Sequence, residues 1–286
     1  MRNTIKLLRL KHHIKNLLMF APLLFSGQLL QPTLFLRTCV GFFAFSAAAS
    51  AVYVFNDLRD ARRDRLHSTK KNRPLASGAV SRRAAWLLFG GLLALCAVLL
   101  YLSAEHPLSY VFVAVYLLIN IGYSLGLKHV PILDISILSA GYVLRVLYGS
   151  SLTGITISSW LYLTVIALSF FLSLGKRRNE LMQQGDDTRR VLQFYNKDFL
   201  DKFMYLCLAL TIAFYSLWSV DPLTLARLSN PYLIWTVPLV IVICMKYSLN
   251  IEGHSDGDPI EVVLHDKLLL ALIAVFGLAV SGMVYL

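Results

Sequence analysis

Long apolar runs separated by short polar stretches dominate this chain, and reading along it gives about nine apolar segments. They lie at roughly 17–30, 34–55, 84–102, 108–124, 131–150, 158–175, 203–220, 231–249 and 267–286. Most come near the ~20 residues that an α-helix needs to cross the hydrocarbon of a bilayer, and the first is short. A backbone in lipid must satisfy its own hydrogen bonds, and these runs are too long and unbroken for barrel strands. The pattern predicts an all-α integral membrane protein, a nine-helix transmembrane bundle forming a single domain over residues 1–286. Ahead of the first run, residues 1–16 carry Arg2, Lys6, Arg9, Lys11 and Lys15 and read as an amphipathic helix on the membrane surface. The run that follows passes through Pro22 into further apolar segments without a small-residue cleavage site, unlike a cleaved signal peptide.

The polar stretches alternate in character. Those at 103–107, 151–157 and 221–230 are short, whereas those at 56–83, 176–202 and 250–266 are long and charged. Long connections in a compact protein tend to be functional, and these three are predicted to cap one mouth of the bundle. Composition agrees: 57% of residues are hydrophobic and 15% charged, where a soluble domain would be near a quarter charged.

The net charge of +11 alone would admit nucleic acid as a partner, but its distribution points elsewhere. With nine spans, the N-terminus and the long polar loops share one side. Of the 27 Lys and Arg, only Arg37 and Arg227 fall clearly on the other. The positive-inside rule makes the charged side cytoplasmic and the protein a multi-pass inner (cytoplasmic) membrane protein. Lipid, not nucleic acid, then accounts for the basic balance, and a homo-oligomer remains open. Of the 16 acids, only Glu105 and Asp221 lie near the outer face. That rule does not sort acids, so their bias suggests a polar site at the cytoplasmic mouth. Cys39, Cys96, Cys207 and Cys244 fall in four different apolar segments, without metal-ligand spacing, and read as core residues.

The densest polar run is Asn56-Asp57-Leu58-Arg59-Asp60-Ala61-Arg62-Arg63-Asp64, directly after the second apolar segment. Its carboxylates fall at i, i+3 and i+7, so on a helix Asp57, Asp60 and Asp64 share a face. Hard oxygen ligands suit Mg²⁺, which takes one or two carboxylates plus substrate phosphate oxygens. A solvated helix end whose acids offset Arg59, Arg62, Arg63 and Arg65 is the plainer alternative. Downstream, Lys70, Lys71 and Arg73 precede a turn punctuated by Pro74 and Gly78 and offer donors for phosphate. Simple positive-inside anchoring would use the same residues.

A second cluster, Gly175-Lys176-Arg177-Arg178-Asn179-Glu180, follows the sixth apolar segment, with Lys176 and Glu180 one helical turn apart. Acids that hold a metal, opposed by cations that take phosphate charge, make a metal–pyrophosphate site. Tyr123 and Lys128 close the fourth span, where both also serve as ordinary interfacial anchors. Arg145 lies inside the fifth, eleven residues after Asp134, which puts the two on one face about 16 Å apart. An Arg within a span marks a functional candidate, and a structural Arg tied to carbonyls is its alternative. Glu252-Gly253-His254-Ser255-Asp256-Gly257-Asp258-Pro259 lacks calcium-loop spacing and reads as a gate or cap.

Taken together, nine spans, the Asn-Asp-x-x-Asp-x-x-x-Asp run and the charged motif after the sixth span resemble the UbiA superfamily of intramembrane prenyltransferases. The resemblance covers essentially the whole chain. Aromatic prenyltransferases of that superfamily carry a second aspartate pair where this chain has Lys176-Arg177-Arg178-Asn179-Glu180. The chain is instead similar to the branch of decaprenyl-phosphate phosphoribosyltransferases. Lys15-Asn16, His67, Arg73-Pro74-Leu75-Ala76-Ser77-Gly78, Tyr123 with Lys128, Lys176-Arg177-x-x-Glu180, and Asp258-Pro259 with Glu261 and Asp266 look like its pattern. His12-His13 departs from the Gln-Trp-like pair of that branch.

The resemblance implies a Mg²⁺-dependent transfer of 5-phosphoribosyl from phosphoribosyl pyrophosphate to a polyprenyl phosphate. Asp57, Asp60 and Asp64 would hold the metal and serve catalysis. Lys15, Asn16, Asn56, Arg73, Tyr123, Lys128, Arg145, Lys176, Arg177 and Glu180 would bind substrates. Two other readings stand beside it: a prenyltransferase using an isoprenyl diphosphate with an aromatic or lipid acceptor, and an anionic-lipid transporter.

Overall fold

The computed structural model describes every residue except 1, 67–69, 184–189, 229, 254–256 and 286, with no side-chain description for residue 2. Among the described residues all regular structure is helical. The α-helices are α1 (Arg2–Leu8), α2 (Ala21–Phe25), α3 (Pro32–Asp64), α4 (Arg82–Ser103), α5 (Pro107–Leu125) and α6 (Leu133–Thr153). They continue with α7 (Ser159–Met182), α8 (Lys197–Val220), α9 (Pro222–Leu228), α10 (Val237–Glu252), α11 (Pro259–His265) and α12 (Lys267–Tyr285). Among the described residues eight helical segments are long and apolar enough to cross a membrane: α3 to α8, α10 with the turn before it (Pro231–Glu252), and α12.

The first apolar segment differs from the rest. Leu10–Phe20 is a 3-10 helix and α2 adds only five residues, so this stretch is not among the eight. It ends at Gly27, whose φ of 76° is the left-handed conformation that glycine adopts without steric cost.

The chain forms two compact units. The first comprises Met1–Ala21, Gln31–Val130 and Leu144–Gly154. Its axis is α3, started by Pro32 at the first helical position, where the missing N–H costs nothing. Residues 46–51 of α3 read Ser-Ala-Ala-Ala-Ser-Ala and are all buried, small side chains that let neighbouring helices approach closely. Phe45, Leu100, Tyr116 and Tyr148 pack around them. Closeness reaches backbone level at Gly149, where a Cβ would lie 2.1 Å from the carbonyl oxygen of Met19.

The second unit comprises Pro22–Leu30, Pro131–Val143 and Ile155–Leu286. Here α7 packs on α8, and α10 on α12. One core gathers Phe171, Leu174, Leu200, Met204 and Ile251, and another gathers Leu161, Tyr215, Trp218 and Leu233. In α12 only 11% of the apolar window is buried, against 67% in α3. An apolar face left open on that scale is suited to lipid rather than water.

Two predicted cap regions begin as helix. Helix α3 runs 33 residues, about 50 Å, well beyond the ~30 Å hydrocarbon thickness, so Asn56 through Asp64 lie on its last turns. Arg62 and Arg63 in the final turn favour that extension through the helix dipole. The Lys176 cluster likewise lies on the last turns of α7. In the third, α11 occupies 259–265.

Candidate active site

In the first unit the extension of α3 carries the acidic face. Asp57 and Asp64 are buried and Asp60 is half-buried. Each carboxylate meets a cation brought from another element. Lys128, in the 3-10 turn after α5, donates to both oxygens of Asp60 at 2.8 Å. Arg73 Nη1 lies 2.8 Å from Asp64 Oδ2 and 3.3 Å from Asp57 Oδ1. Arg9, between α1 and the 3-10 segment, donates to the same Asp57 oxygen at 2.6 Å.

The turn carrying Arg73 is shaped locally. The Arg73 N–H donates to the Lys70 carbonyl, Ser77 N–H to the Arg73 carbonyl, and Arg65 Nε to the Ala76 carbonyl. Pro74, Leu75 and Ala76 are buried, and Gly78 takes a φ of 79°. Asn56 accepts from Ser124 Oγ at 3.2 Å, while Tyr123 lies half-buried beside it in the last turn of α5.

Arg145 is buried in α6, its guanidinium 5.0 Å from the Phe45 ring centroid and 5.1 Å from that of Tyr116. Its Nε donates to Asn16 Oδ1 at 2.8 Å, and Asn16 Nδ2 donates to Ser46 Oγ at 2.8 Å. Lys15, next to it, is half-buried.

Asp57 and Asp64 converge on one guanidinium nitrogen, so the pair can share a cation. Among the described residues no three His, Cys, Asp or Glu side chains converge on one point. Two carboxylates with substrate phosphate oxygens completing the shell is the donor set Mg²⁺ prefers, and the residues fit it. Asp60 would join only after release from Lys128.

The second unit has a different cluster. Arg177 is fully buried, with Nε donating to Asp134 and Nη1 to Glu180. Tyr195 donates to the other Asp134 oxygen at 2.6 Å and accepts from Ile132 N–H, also at 2.6 Å. Burial, then the bond to Asp134, pushes the Tyr195 phenol well above its ordinary pKa, so it stays a donor. Ile132 has a φ of 69°, an unusual strain for a β-branched residue, and this bond helps to hold it. Arg178 pairs with Asp201.

Lys176 is the cation of the motif with the looser contact, 3.5 Å from Asp258. Gly257, with a φ of 73°, packs against the same turn, where a Cβ would stand 2.7 Å from that of Asn179. Gly257 and Asp258 thus lie against the last turns of α7, and Asp258 also caps α11 through Ile260 N–H. Asp266 pairs with Lys246 at 2.7 Å and caps α12.

Residues 17–273 match the UbiA prenyltransferase family. This chain belongs to that family. The decaprenyl-phosphate phosphoribosyltransferase of Corynebacterium glutamicum is 33% identical, covering 95% of this chain and 84% of that protein. The protein of the same name from Mycolicibacterium smegmatis is 34% identical, covering 96% and 92%. The solved structure of a UbiA homolog from Archaeoglobus fulgidus bound to GPP and Mg²⁺ superposes with a TM-score of 0.72, over 98% of this chain and 99% of that one, at 20% identity. That likeness establishes the fold.

Within this UbiA fold, Asn56, Asp57, Asp60, Asp64, Arg73 and Lys128 come together in the first unit, and Asn16, Arg145 and Ser46 form a polar group there, with Lys15 half-buried next to Asn16 in the chain. In the second motif Glu180 pairs with Arg177, three residues away, Lys176 meets Asp258, and Arg177 is sealed between two carboxylates. A fully buried guanidinium needs such partners, because an uncompensated charge there is costly. His67, part of the resemblance, lies outside the described residues, as do His254, Ser255 and Asp256. Sequence reasoning missed Arg9 as a partner of Asp57, and Asp134 and Tyr195 as partners of Arg177. The intramembrane acid at position 134 was the available signal, since a buried carboxylate requires a cation.

Proposed function

We propose that this chain transfers the 5-phosphoribosyl group from phosphoribosyl pyrophosphate to a polyprenyl phosphate of the decaprenyl type, releasing pyrophosphate. The observation that carries this reading is the similarity along nearly the whole chain to proteins named decaprenyl-phosphate phosphoribosyltransferase. It is a membrane-embedded transferase acting as a single transmembrane domain. Nine crossings count the apolar run at residues 17–30 together with the eight long segments. Nine crossings place the basic N-terminus and the site on one side, which positive charge makes cytoplasmic.

In the reaction a lipid phosphate oxygen attacks ribose C1, and the bond from C1 to the pyrophosphate oxygen breaks with inversion. The nucleophile is already anionic, so no strong general base is required. Asp57 and Asp64, with Asp60, hold Mg²⁺, which when bound supplies Lewis-acid stabilisation of the departing pyrophosphate. Arg73, Lys128 and Lys176 take donor phosphate charge. Asn56, Tyr123, Lys15, Asn16 and Arg145 bind and orient the substrates. Arg177 and Glu180 act through each other, fixing the turn that presents Lys176.

Membranes containing the protein should move label from phosphoribosyl pyrophosphate into the lipid fraction only with polyprenyl phosphate and a divalent cation, with one pyrophosphate released per transfer. Incorporation solely from an isoprenyl diphosphate would establish a prenyltransferase instead. Lipid translocation without transfer from either donor would establish a transporter.

A further inference from the structure

The sequence offers Arg9 only as one basic residue of the N-terminal segment, yet its guanidinium reaches Asp57 of the acidic face. Its backbone is left-handed (φ 50°, ψ 51°), a conformation disfavoured for a residue with a side chain, and it interrupts the helical run between Leu8 and Leu10. The guanidinium reaches Asp57 Oδ1 at 2.6 Å and lies 4.9 Å from the Tyr53 ring centroid. Tyr53 stands one turn before Asp57 on α3. Two cationic groups, from Arg9 and Arg73, therefore crowd one carboxylate oxygen.

Counting the face gives three carboxylates, Asp57, Asp60 and Asp64, against three cations, Arg9, Arg73 and Lys128. Among the described residues these three pairs match one cation to each carboxylate. A divalent metal arriving alone meets carboxylates already matched and must leave displaced cations without partners. A diphosphate arriving alone meets cations already engaged. When both arrive, the metal takes Asp57 and the freed guanidinium takes a phosphate oxygen, so every charge is again matched. Arg9 is suited to this exchange because its side chain is 24% exposed while that of Asp57 is 4% exposed. The Tyr53 ring would retain the cation beside the site as it changes partner.

We propose that Arg9 is a donor-binding residue: it guards Asp57 before loading and passes to a diphosphate oxygen of the donor when the metal binds. This makes metal and diphosphate binding mutually reinforcing beyond their own attraction. It rests on the proposed function only in requiring a diphosphate-bearing donor.

The test is Mn²⁺ binding followed by electron paramagnetic resonance, with and without inorganic pyrophosphate, on the full chain in nanodiscs. Arg9→Gln should bind Mn²⁺ alone about fivefold more tightly and Mn²⁺ with pyrophosphate at least ~10-fold more weakly, within the usual range of coupling between sites. Arg9→Lys should restore part of the second property. Should Arg9→Gln not fold, Tyr53→Leu should still reduce the coupling of metal to pyrophosphate by about threefold, a shift below one decade of affinity. Weakening of both bindings would make Arg9 merely structural, and tightening of both would make it a static counterion; either overturns the proposal. So would an effect confined to a short-chain polyprenyl phosphate titrated in a parallel arm. Pyrophosphate is common to both enzymatic readings, so failure here is distinct from failure of the labelled-donor assay.

Discussion

The two charged clusters solve the same electrostatic problem in opposite ways. In the first unit, Arg9, Arg73 and Lys128 pair with Asp57, Asp64 and Asp60 while keeping side-chain exposures of 12–29%. In the second, Arg177 and Asp134 are both completely sealed, with Tyr195 and Glu180 completing the set. A sealed pair cannot exchange partners without exposing an uncompensated charge in a medium of low polarity. A partly exposed pair can, because water and substrate phosphates reach its cation. Within the second cluster Lys176 resembles the first unit, with 26% exposure and a long 3.5 Å contact. The comparison teaches that basic residues adjacent in sequence, Lys176 and Arg177, serve different ends.

The contrast breaks most severely at the acidic face. Asp57→Asn or Asp60→Asn should lower transfer by at least ~1000-fold while the protein still inserts, since metal-supplied stabilisation of several kcal/mol is lost at about 1.4 kcal/mol per decade. Near-wild-type turnover of labelled phosphoribosyl pyrophosphate in either variant would remove the metal assignment. Arg177→Ala should instead strike the fold. It leaves Asp134 buried and unpaired at a cost of about 3–5 kcal/mol, visible as loss of monodisperse protein after extraction or a large drop in Tm. Intact stability with only a raised donor KM would erase the distinction between sealed and exchangeable charges.

Lys176→Ala sharpens the same line. It should weaken phosphoribosyl pyrophosphate about 30-fold, roughly 2 kcal/mol, with Tm unchanged and polyprenyl phosphate affinity little affected. The smallest effect concerns Asp266. Its hydrogen bond from Lys246, chiefly, lowers its pKa from 3.8 to about 2. A carboxylate held below its unfolded value stabilises the fold above that value and loses this contribution as pH falls from about 4 to about 2. The Tm difference between the wild type and Asp266→Asn should therefore be present at pH 6 and shrink across that window. A difference that grows there would contradict the pairing with Lys246.

Hydropathy alone was enough to locate eight of the helices, because lipid demands long apolar runs and internally satisfied backbone, but not the charged turns by which α3, α7 and α8 run beyond their apolar stretches. The i, i+3, i+7 spacing likewise put Asp57, Asp60 and Asp64 on one helical face, a property of 3.6-residue periodicity that needs no tertiary information. Residues 10–25 escaped the pattern, since composition does not separate 3-10 from α-helical geometry. Partner choice escaped it too. Arg9 and Asp57 are 48 residues apart, Arg177 and Asp134 43 apart, and Tyr195 and Asp134 61 apart. Such pairs form only when packing brings distant segments together, and burial then decides which cation is structural and which is free to meet a phosphate. The sequence by itself determined the membrane class, the helices and the inventory of charges; tertiary structure decided how those charges are spent, because desolvation depends on neighbours that no local pattern records.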